Sequence, residues 1–459
     1  MHERLSTLTG WLKSRPAAAA VGGMSIRAGG ALMTLALFTL AARAMTADEF
    51  GRLAIWFNAI GFLAVAAVFG QDTLIARSFG EYAGGNDYAR AWGAYRFGWL
   101  LTLLSGAVFV AGMIVLTPLL FTGVSQTAVL AGAFFLLTQT ILHYSSHSTR
   151  PIAGFVASEI SRELIWRGLL LLVMVWSVFH HDLTLAGFFG AAAVGQVFSL
   201  AFALIFVRRV YRMHAVPATS CSDWRKWLAR SFPMWQSAVL EAASMYFDVM
   251  LIGYVASSAA AGDYFAAARI ANVFLMAMSG LNTVTMARSA NLYFSGQTSR
   301  LQEMLRSIAL LSIAMLAPLW LLILFFGGSL LTVFGGRYAA DYATLIILAT
   351  GCFLMSACGS APVVLLTTGQ EKLYSRVMGV ATIARVALTA LLAWLFGAPG
   401  AALGWALINV PLFVLLSVVC RRETGVDPSI ISLIAPLRTS LRAGLHGAAR
   451  PAGSNRTPG

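Results

Sequence analysis

Charged residues are scarce in this chain: Asp, Glu, Lys and Arg make up 11% of its 459 residues, against about 25% in an ordinary soluble domain. That scarcity excludes a water-soluble globular protein. Only four residues are cysteines, with Cys221 and Cys420 in polar stretches and Cys352 and Cys358 in one apolar run. No disulfide framework is expected from that distribution. Glycine-rich phosphate loops, Walker motifs and nucleophile elbows are missing, and with them ATP as a direct energy source. His143 and His147 lie four residues apart on one helical face, yet no third ligand stands at a fitting spacing. Neither a metal nor a cofactor is therefore expected, and the pair reads as interfacial. Short alternating strands are also missing, which excludes a barrel.

What remains is apolar: 59% of residues are hydrophobic and the mean hydropathy is +0.77. Lipid must then be the main solvent, and apolar runs of about 20 residues should be helices that satisfy their own peptide groups. Twelve such runs are expected, at about 22–44, 53–76, 94–117, 126–146, 155–179, 184–207, 232–255, 263–287, 306–327, 342–367, 374–396 and 400–420. The net charge of +14 is first a topology signal and does not point to nucleic acid. Most of the 32 basic residues fall in every second loop, from Arg4, Lys13 and Arg15, through Arg77, Arg90 and Arg96, to the arginines beyond Arg421, whereas the opposite loops hold Arg43, Arg52 and Arg337. By the positive-inside rule both termini and the basic loops are cytoplasmic. The first apolar run continues to spanning length without a processing site, so it is read as a span and not a signal peptide.

Ala76-Arg77-Ser78 with Tyr82 and Gly85 recurs 211 residues later as Ala287-Arg288-Ser289 with Tyr293 and Gly296, and in the same register Gly51 falls on Gly262 and Pro151 on Pro362. The expected fold is an all-α integral membrane protein of twelve transmembrane helices in two parallel six-helix repeats with a central cavity. The halves would be related by an axis along the membrane normal, with a substrate site between them near the midplane. The expected divisions are a cytoplasmic segment 1–21, a lobe 22–208, a linker 209–231, a lobe 232–420 and a tail 421–459. Leu5, Leu8 and Leu12 would share one side of a helix in the first segment, which is read either as interfacial or as an unstructured leader. The tail is expected to be disordered over 447–459.

Asp48-Glu49-Phe50-Gly51 after the first span, Gly70 through Arg77 closing the second, Gly262-Asp263-Tyr264 opening the eighth, Tyr338 before the tenth and Thr368-Gly369-Gln370-Glu371-Lys372 after it resemble the polysaccharide-transport flippases. These O-antigen and exopolysaccharide flippases belong to the multidrug, oligosaccharidyl-lipid and polysaccharide exporter superfamily. The resemblance implies alternating access that moves an undecaprenyl-diphosphate-linked oligosaccharide to the periplasmic leaflet of the bacterial inner membrane. It implies as partners the lipid-linked oligosaccharide, membrane lipids, H+ or Na+ as coupling ion, and polysaccharide polymerase and export proteins. A cation-coupled multidrug or metabolite exporter shares the architecture, and fold analogy alone does not separate the two. A membrane glycosyltransferase or polymerase is the alternative of another class. The short outer loops, with few charged groups such as Asp48, Asp182, Asp263 and Asp341, argue against catalysis.

Ionisable residues inside the spans carry the sharper signal, because each costs about 2.5–3.5 kcal/mol at the bilayer centre on insertion scales. Arg27 and Asp72 are expected near the inner face, Glu241 and Arg385 near the midplane, and Asp248 and Arg269 toward the outer face. Two readings stand for the inner and outer layers. Arg27 with Asp72 and Asp248 with Arg269 form structural ion pairs, or Arg27, Arg269 and Arg385 hold a diphosphate, to which guanidinium is well suited. Glu241 and Asp248, seven residues apart on one helical face, are with Asp72 the candidate ion-coupling carboxylates. The arginines of the repeated motif, Arg77 and Arg288, would stand at the cytoplasmic mouth as topology anchors or as attractants for an anionic head group. Glu159, Arg162 and Glu163 are read as local helix pairs, and Trp92, Trp99, Trp166 and Trp227 as an interfacial belt. Trp56, Phe57, Tyr246 and Phe247 are read as core or lipid contacts, with stacking on sugar rings as the other reading.

Overall fold

The computed structural model describes residues 15–120, 124–180, 183–213 and 223–432. The N-terminal segment read as an interfacial helix or a leader, Cys221 and the tail end 447–459 lie outside the described residues. Among the described residues every regular element is a helix, as backbone that faces hydrocarbon must satisfy its own polar groups. Among the described residues ten helices are long and apolar enough to cross a membrane.

The first half of the chain forms α1 (Arg15–Ala44), α2 (Ala47–Val68), α3 (Gln71–Gly84), α4 (Tyr88–Leu120) and α5 (Gln126–Ala153). After α5 come α6 (Phe155–Glu159), a π-helical segment (Ile160–Ile165), α7 (Trp166–His180) and α8 (Leu185–Met213). The expected second span, 53–76, is two helices, because Phe69 and Gly70 both adopt left-handed backbone between α2 and α3. Asp72 therefore sits in the first turn of a separate helix. At the other break, Gly154 alone separates α5 from α6, so the chain reverses without a loop.

The second half forms α9 (Trp224–Val255), α10 (Ser258–Phe294), α11 (Thr298–Leu331), a 3-10 segment (Gly336–Asp341), α12 (Tyr342–Ala357), α13 (Ala361–Thr367) and α14 (Glu371–Thr424). Within α14, Gly397 has φ 63° and ψ −140°, a conformation almost confined to glycine, which breaks the helix between the two spans expected there. Residues 15–270, 328–342 and 390–401 form one compact unit, and 271–327, 343–389 and 402–432 a second. The expected lobe boundary at 209–231 is not where these units divide, since α9 and the first part of α10 belong to the first unit.

In the first unit α5 packs along α8, α4 along α5, α1 along α7 and α9 along α2. Polar side chains join some of these faces: Thr138 donates to Gln196 Oε1 at 2.6 Å, and Gln196 in turn donates to Gln139, the kind of link that substitutes for hydrophobic attraction in lipid. Trp92, Trp166 and Trp227 are buried, not placed in a headgroup belt. Trp227 donates to Tyr82 Oη at 3.1 Å and Trp166 to the Arg162 carbonyl at 2.8 Å, so these two indole N–H groups are satisfied inside the protein, whereas that of Trp92 is buried without a hydrogen-bond partner among the described residues. In the second unit α13 packs with parts of α11 and α14 around Leu301, Leu365 and Leu416.

Residues separated by the 211-residue offset adopt matching local geometry. Thr46 caps α2 and Ser257 caps α10, each hydroxyl accepting from the third residue on. Gly85 N–H bonds the Tyr82 carbonyl as Gly296 N–H bonds that of Tyr293. Ser78 and Ser289 are buried while Arg77 and Arg288 are exposed. Gly51 and Gly262 touch each other: a Cβ on Gly262 would stand 3.2 Å from Gly51 Cα, and one on Gly51 only 1.8 Å from the Ser258 carbonyl oxygen.

Candidate functional site

Glu159 ends α6, and its side chain is 1% exposed. Its carboxylate accepts from Arg27 Nε at 2.8 Å and Nη2 at 3.0 Å, and from Arg150 Nη2 at 2.5 Å. Both guanidiniums also lie over the Phe155 ring, at 5.3 and 4.6 Å from its centroid. One carboxylate thus joins α1, α5 and α6. The expected Arg27–Asp72 pair does not form, because the reversal at Gly154 carries α6 back against α1, whereas the break at Phe69–Gly70 sets Asp72 against α5.

Four residues beyond Glu159, in the π-helical segment, Glu163 accepts from Arg167 Nη1 at 2.7 Å and lies 3.5 Å from Arg162 Nε. Arg167 also donates to the carbonyls of Arg162 and Glu163. Of the local pairs expected among Glu159, Arg162 and Glu163, only Arg162 with Glu163 comes together; Glu163 pairs more closely with Arg167, and Glu159 serves other helices. Glu163 attracts Arg27 as well, so the two clusters are electrostatically continuous.

Arg269 on α10 has a different environment. Its guanidinium stands over three rings, 4.2 Å from the centroid of Phe265, 5.0 Å from Phe38 and 5.8 Å from Phe57. Such cation–π contacts stabilise a desolvated cation by about 2 kcal/mol but do not neutralise it. Among the described residues no carboxylate lies within ion-pair distance of Arg269, and its titratable neighbours are the neutral phenol of Tyr246 and the guanidinium of Arg167. The expected Asp248 pair is thus replaced by aromatic faces. Phe57, expected to be core or to stack on sugar, forms part of this cage.

Taken together, Arg27, Arg150, Arg162, Arg167 and Arg269 are offset only in part by Glu159 and Glu163. The excess positive charge sits among apolar helices, and Arg269 is partly accessible. Arg150, Arg167 and both glutamates were not singled out as site residues by spacing. Their one readable signal is Glu159-x-x-Arg162-Glu163-x-x-x-Arg167, two acids four residues apart in a chain with 18 in all.

The remaining candidates are placed as follows. Asp248 on α9 is buried, Glu241 about two turns earlier on the same helix is exposed, and Arg385 on α14 is buried in the second unit at 4% exposure. Asp72 faces histidines: its Oδ2 lies 3.2 Å from His143 Nε2, and His147 stacks on His143 with ring centroids 4.5 Å apart. No third donor stands beside the histidines at a fitting sequence spacing, but the fold brings Asp72 of α3 to them, so that one possible donor atom from each of the three lies within 4.8 Å of the others.

Residues 24–287 match the family described as polysaccharide biosynthesis protein. The chain belongs to that family. No curated protein matches it in sequence. Among solved structures this polysaccharide biosynthesis protein is similar to an inward-facing multidrug resistance MATE family transporter of the MOP superfamily, with TM-score 0.71 and 15% identity over 88% of this chain and 98% of the other. It is similar to the lipid II flippase MurJ in an inward closed conformation, with TM-score 0.66 and 12% identity over 91% and 92%. A MOP superfamily transporter from Pyrococcus furiosus, described as having a binding pocket of reverse polarity, aligns with TM-score 0.59 and 15% identity over 89% and 94%. The protein is a multi-pass membrane protein with the MATE and MurJ fold. The family match contains all five clustered arginines, Arg27 to Arg269, but not Arg385.

Proposed function

We propose that the protein is a flippase that carries an undecaprenyl-diphosphate-linked oligosaccharide from the cytoplasmic to the periplasmic leaflet by alternating access. The carrying observation is the arginine excess around Glu159 and Glu163, with Arg269 held by rings and by no carboxylate. An anionic diphosphate supplies the charge that this arrangement lacks, and guanidinium binds phosphate oxygens by charge-assisted pairs of hydrogen bonds. Membership of a polysaccharide biosynthesis family and likeness in fold to a lipid II flippase support a lipid-linked glycan as cargo. A cationic-drug exporter would place the opposite charge there.

The topology proposed is twelve spans in two parallel repeats. To the ten helices of spanning character it adds the continuous helical run from Phe155 to His180 and divides α14 at Gly397. The matching caps and turns at the 211-residue offset support the repeat. Charge alternation supports cytoplasmic termini in a bacterial inner membrane. Arg385 is the proposed diphosphate contact in the second unit, Arg77 and Arg288 attract head groups at the cytoplasmic mouth, and Glu241 with Asp248 couples transport to H+ or Na+. Deleting the gene should trap lipid-linked oligosaccharide on the cytoplasmic leaflet, and a copy carrying Arg269→Ala should fail to restore it. Normal delivery to the periplasmic face in the deletion strain would end this reading.

A further inference from the structure

Asp72, His143 and His147 each offer one ligand atom, and the three atoms lie within 4.8 Å of one another. We infer that they form a binding site for a divalent metal ion of zinc-like character that ties α3 to α5. Several features of the cluster point to a metal ligand set. Two histidines four residues apart on one helical face are the donor spacing of helical zinc sites. Around a tetrahedral zinc with bonds of about 2.0–2.1 Å, ligand atoms stand about 3.3 Å apart. His143 Nε2 and Asp72 Oδ2 are already at 3.2 Å, so only His147 has to close in.

His147 is oriented for that task. Its Nδ1 lies 2.9 Å from the His143 carbonyl oxygen, which can only accept, so Nδ1 carries the proton and Nε2 keeps the lone pair. A backbone carbonyl fixing the tautomer of a ligating histidine is the usual outer partner of a zinc site. Asp72 is 8% exposed, and a carboxylate so buried is ordinarily paired or bound to a metal. Arg162, whose charge reaches His147, is itself held by Glu163. Two neutral imidazoles and one carboxylate leave a fourth position for water, and nitrogen–oxygen donors of this kind suit zinc, cobalt or nickel better than magnesium or calcium.

The site does not rest on the transport reading, and its test is separate from it. Untagged full-length protein in detergent, stripped with a chelator, is titrated with zinc by calorimetry and with cobalt by visible absorption. About one zinc per chain should bind, and cobalt should give the strong absorption of a four-coordinate site. Asp72→Asn, His143→Ala and His147→Ala should each weaken zinc binding by more than about 100-fold, given that losing an outer partner alone costs about 10- to 100-fold. The double variant His180→Ala with His181→Ala should bind as the native chain does. Zinc should also raise the unfolding midpoint of the native chain, a readout that needs no variant to fold. No saturable uptake, a weak six-coordinate cobalt spectrum, or uptake that survives all three substitutions would each overturn the site.

Discussion

Replacing Glu159 by Gln separates the charge of this residue from its size. The native carboxylate is 1% exposed and holds two guanidiniums whose side chains are 41% and 38% exposed. Breaking a fully buried ion pair costs about 3–5 kcal/mol, and losing an exposed one about 0–1 kcal/mol. Water can reach both arginines, and Gln keeps one acceptor oxygen, so the expected loss for Glu159→Gln is roughly 1–3 kcal/mol, between those limits. The unfolding midpoint in detergent, at one scan rate, should fall by several degrees. A double-mutant cycle isolates the contact: Arg27→Gln and Glu159→Gln should couple by about 1 kcal/mol or more, whereas Arg27→Gln and Asp72→Asn should be additive within about 0.5 kcal/mol. Coupling of Arg27 to Asp72 as strong as to Glu159 would refute the geometry, and an unchanged midpoint in Glu159→Gln would refute the energetic reasoning.

Arg269→Ala should weaken binding of undecaprenyl diphosphate in nanodiscs by about 10- to 100-fold, the size of one hydrogen bond to a charged group, while Arg269→Lys keeps part of the affinity; equal binding by all three would remove Arg269 from the site. Gly51→Ala would put a methyl group 1.8 Å from the Ser258 carbonyl oxygen, whereas Gly262→Ala meets nothing nearer than 3.2 Å. The first should cost about 1–3 kcal/mol or more and the second far less, as compared by unfolding midpoints. Gly397→Ala forces a left-handed backbone on an L residue, at about 1–3 kcal/mol; a midpoint equal to the native one would mean that the break in α14 is not fixed.

The helices were legible because a chain in lipid has few choices: apolar runs of spanning length and alternating basic loops limit it to a helical bundle. The matching caps and turns at the 211-residue offset were legible because glycine, serine and tyrosine recur there. The partners of the buried charges were not. Arg27 and Asp72 lie at similar depth on consecutive spans, and depth is all that counting along a helix supplies. Two backbone breaks, at Phe69–Gly70 and at Gly154, decide which helix each one meets, and nothing in the spacing of apolar residues marks them. The π-helical segment that displays Arg162 and Glu163 is equally silent in sequence. Asp72 was identified as a charge of interest, but its role beside His143 and His147 arises from two helices whose contact no spacing rule encodes.

The contact of Gly51 with Gly262 bears on the ancestry of the chain. On the proposed repeat these two positions descend from one, so the protein touches itself where its copies are most alike. In an ancestral dimer of identical halves, any side chain gained there would have appeared on both faces of the contact at once, and the room for it would have shrunk twice as fast. A shared glycine is what such doubled selection leaves behind. On that repeat, a side chain is excluded at both positions by backbone of the other copy's stretch, at 1.8 Å for Gly51 and 3.2 Å for Gly262.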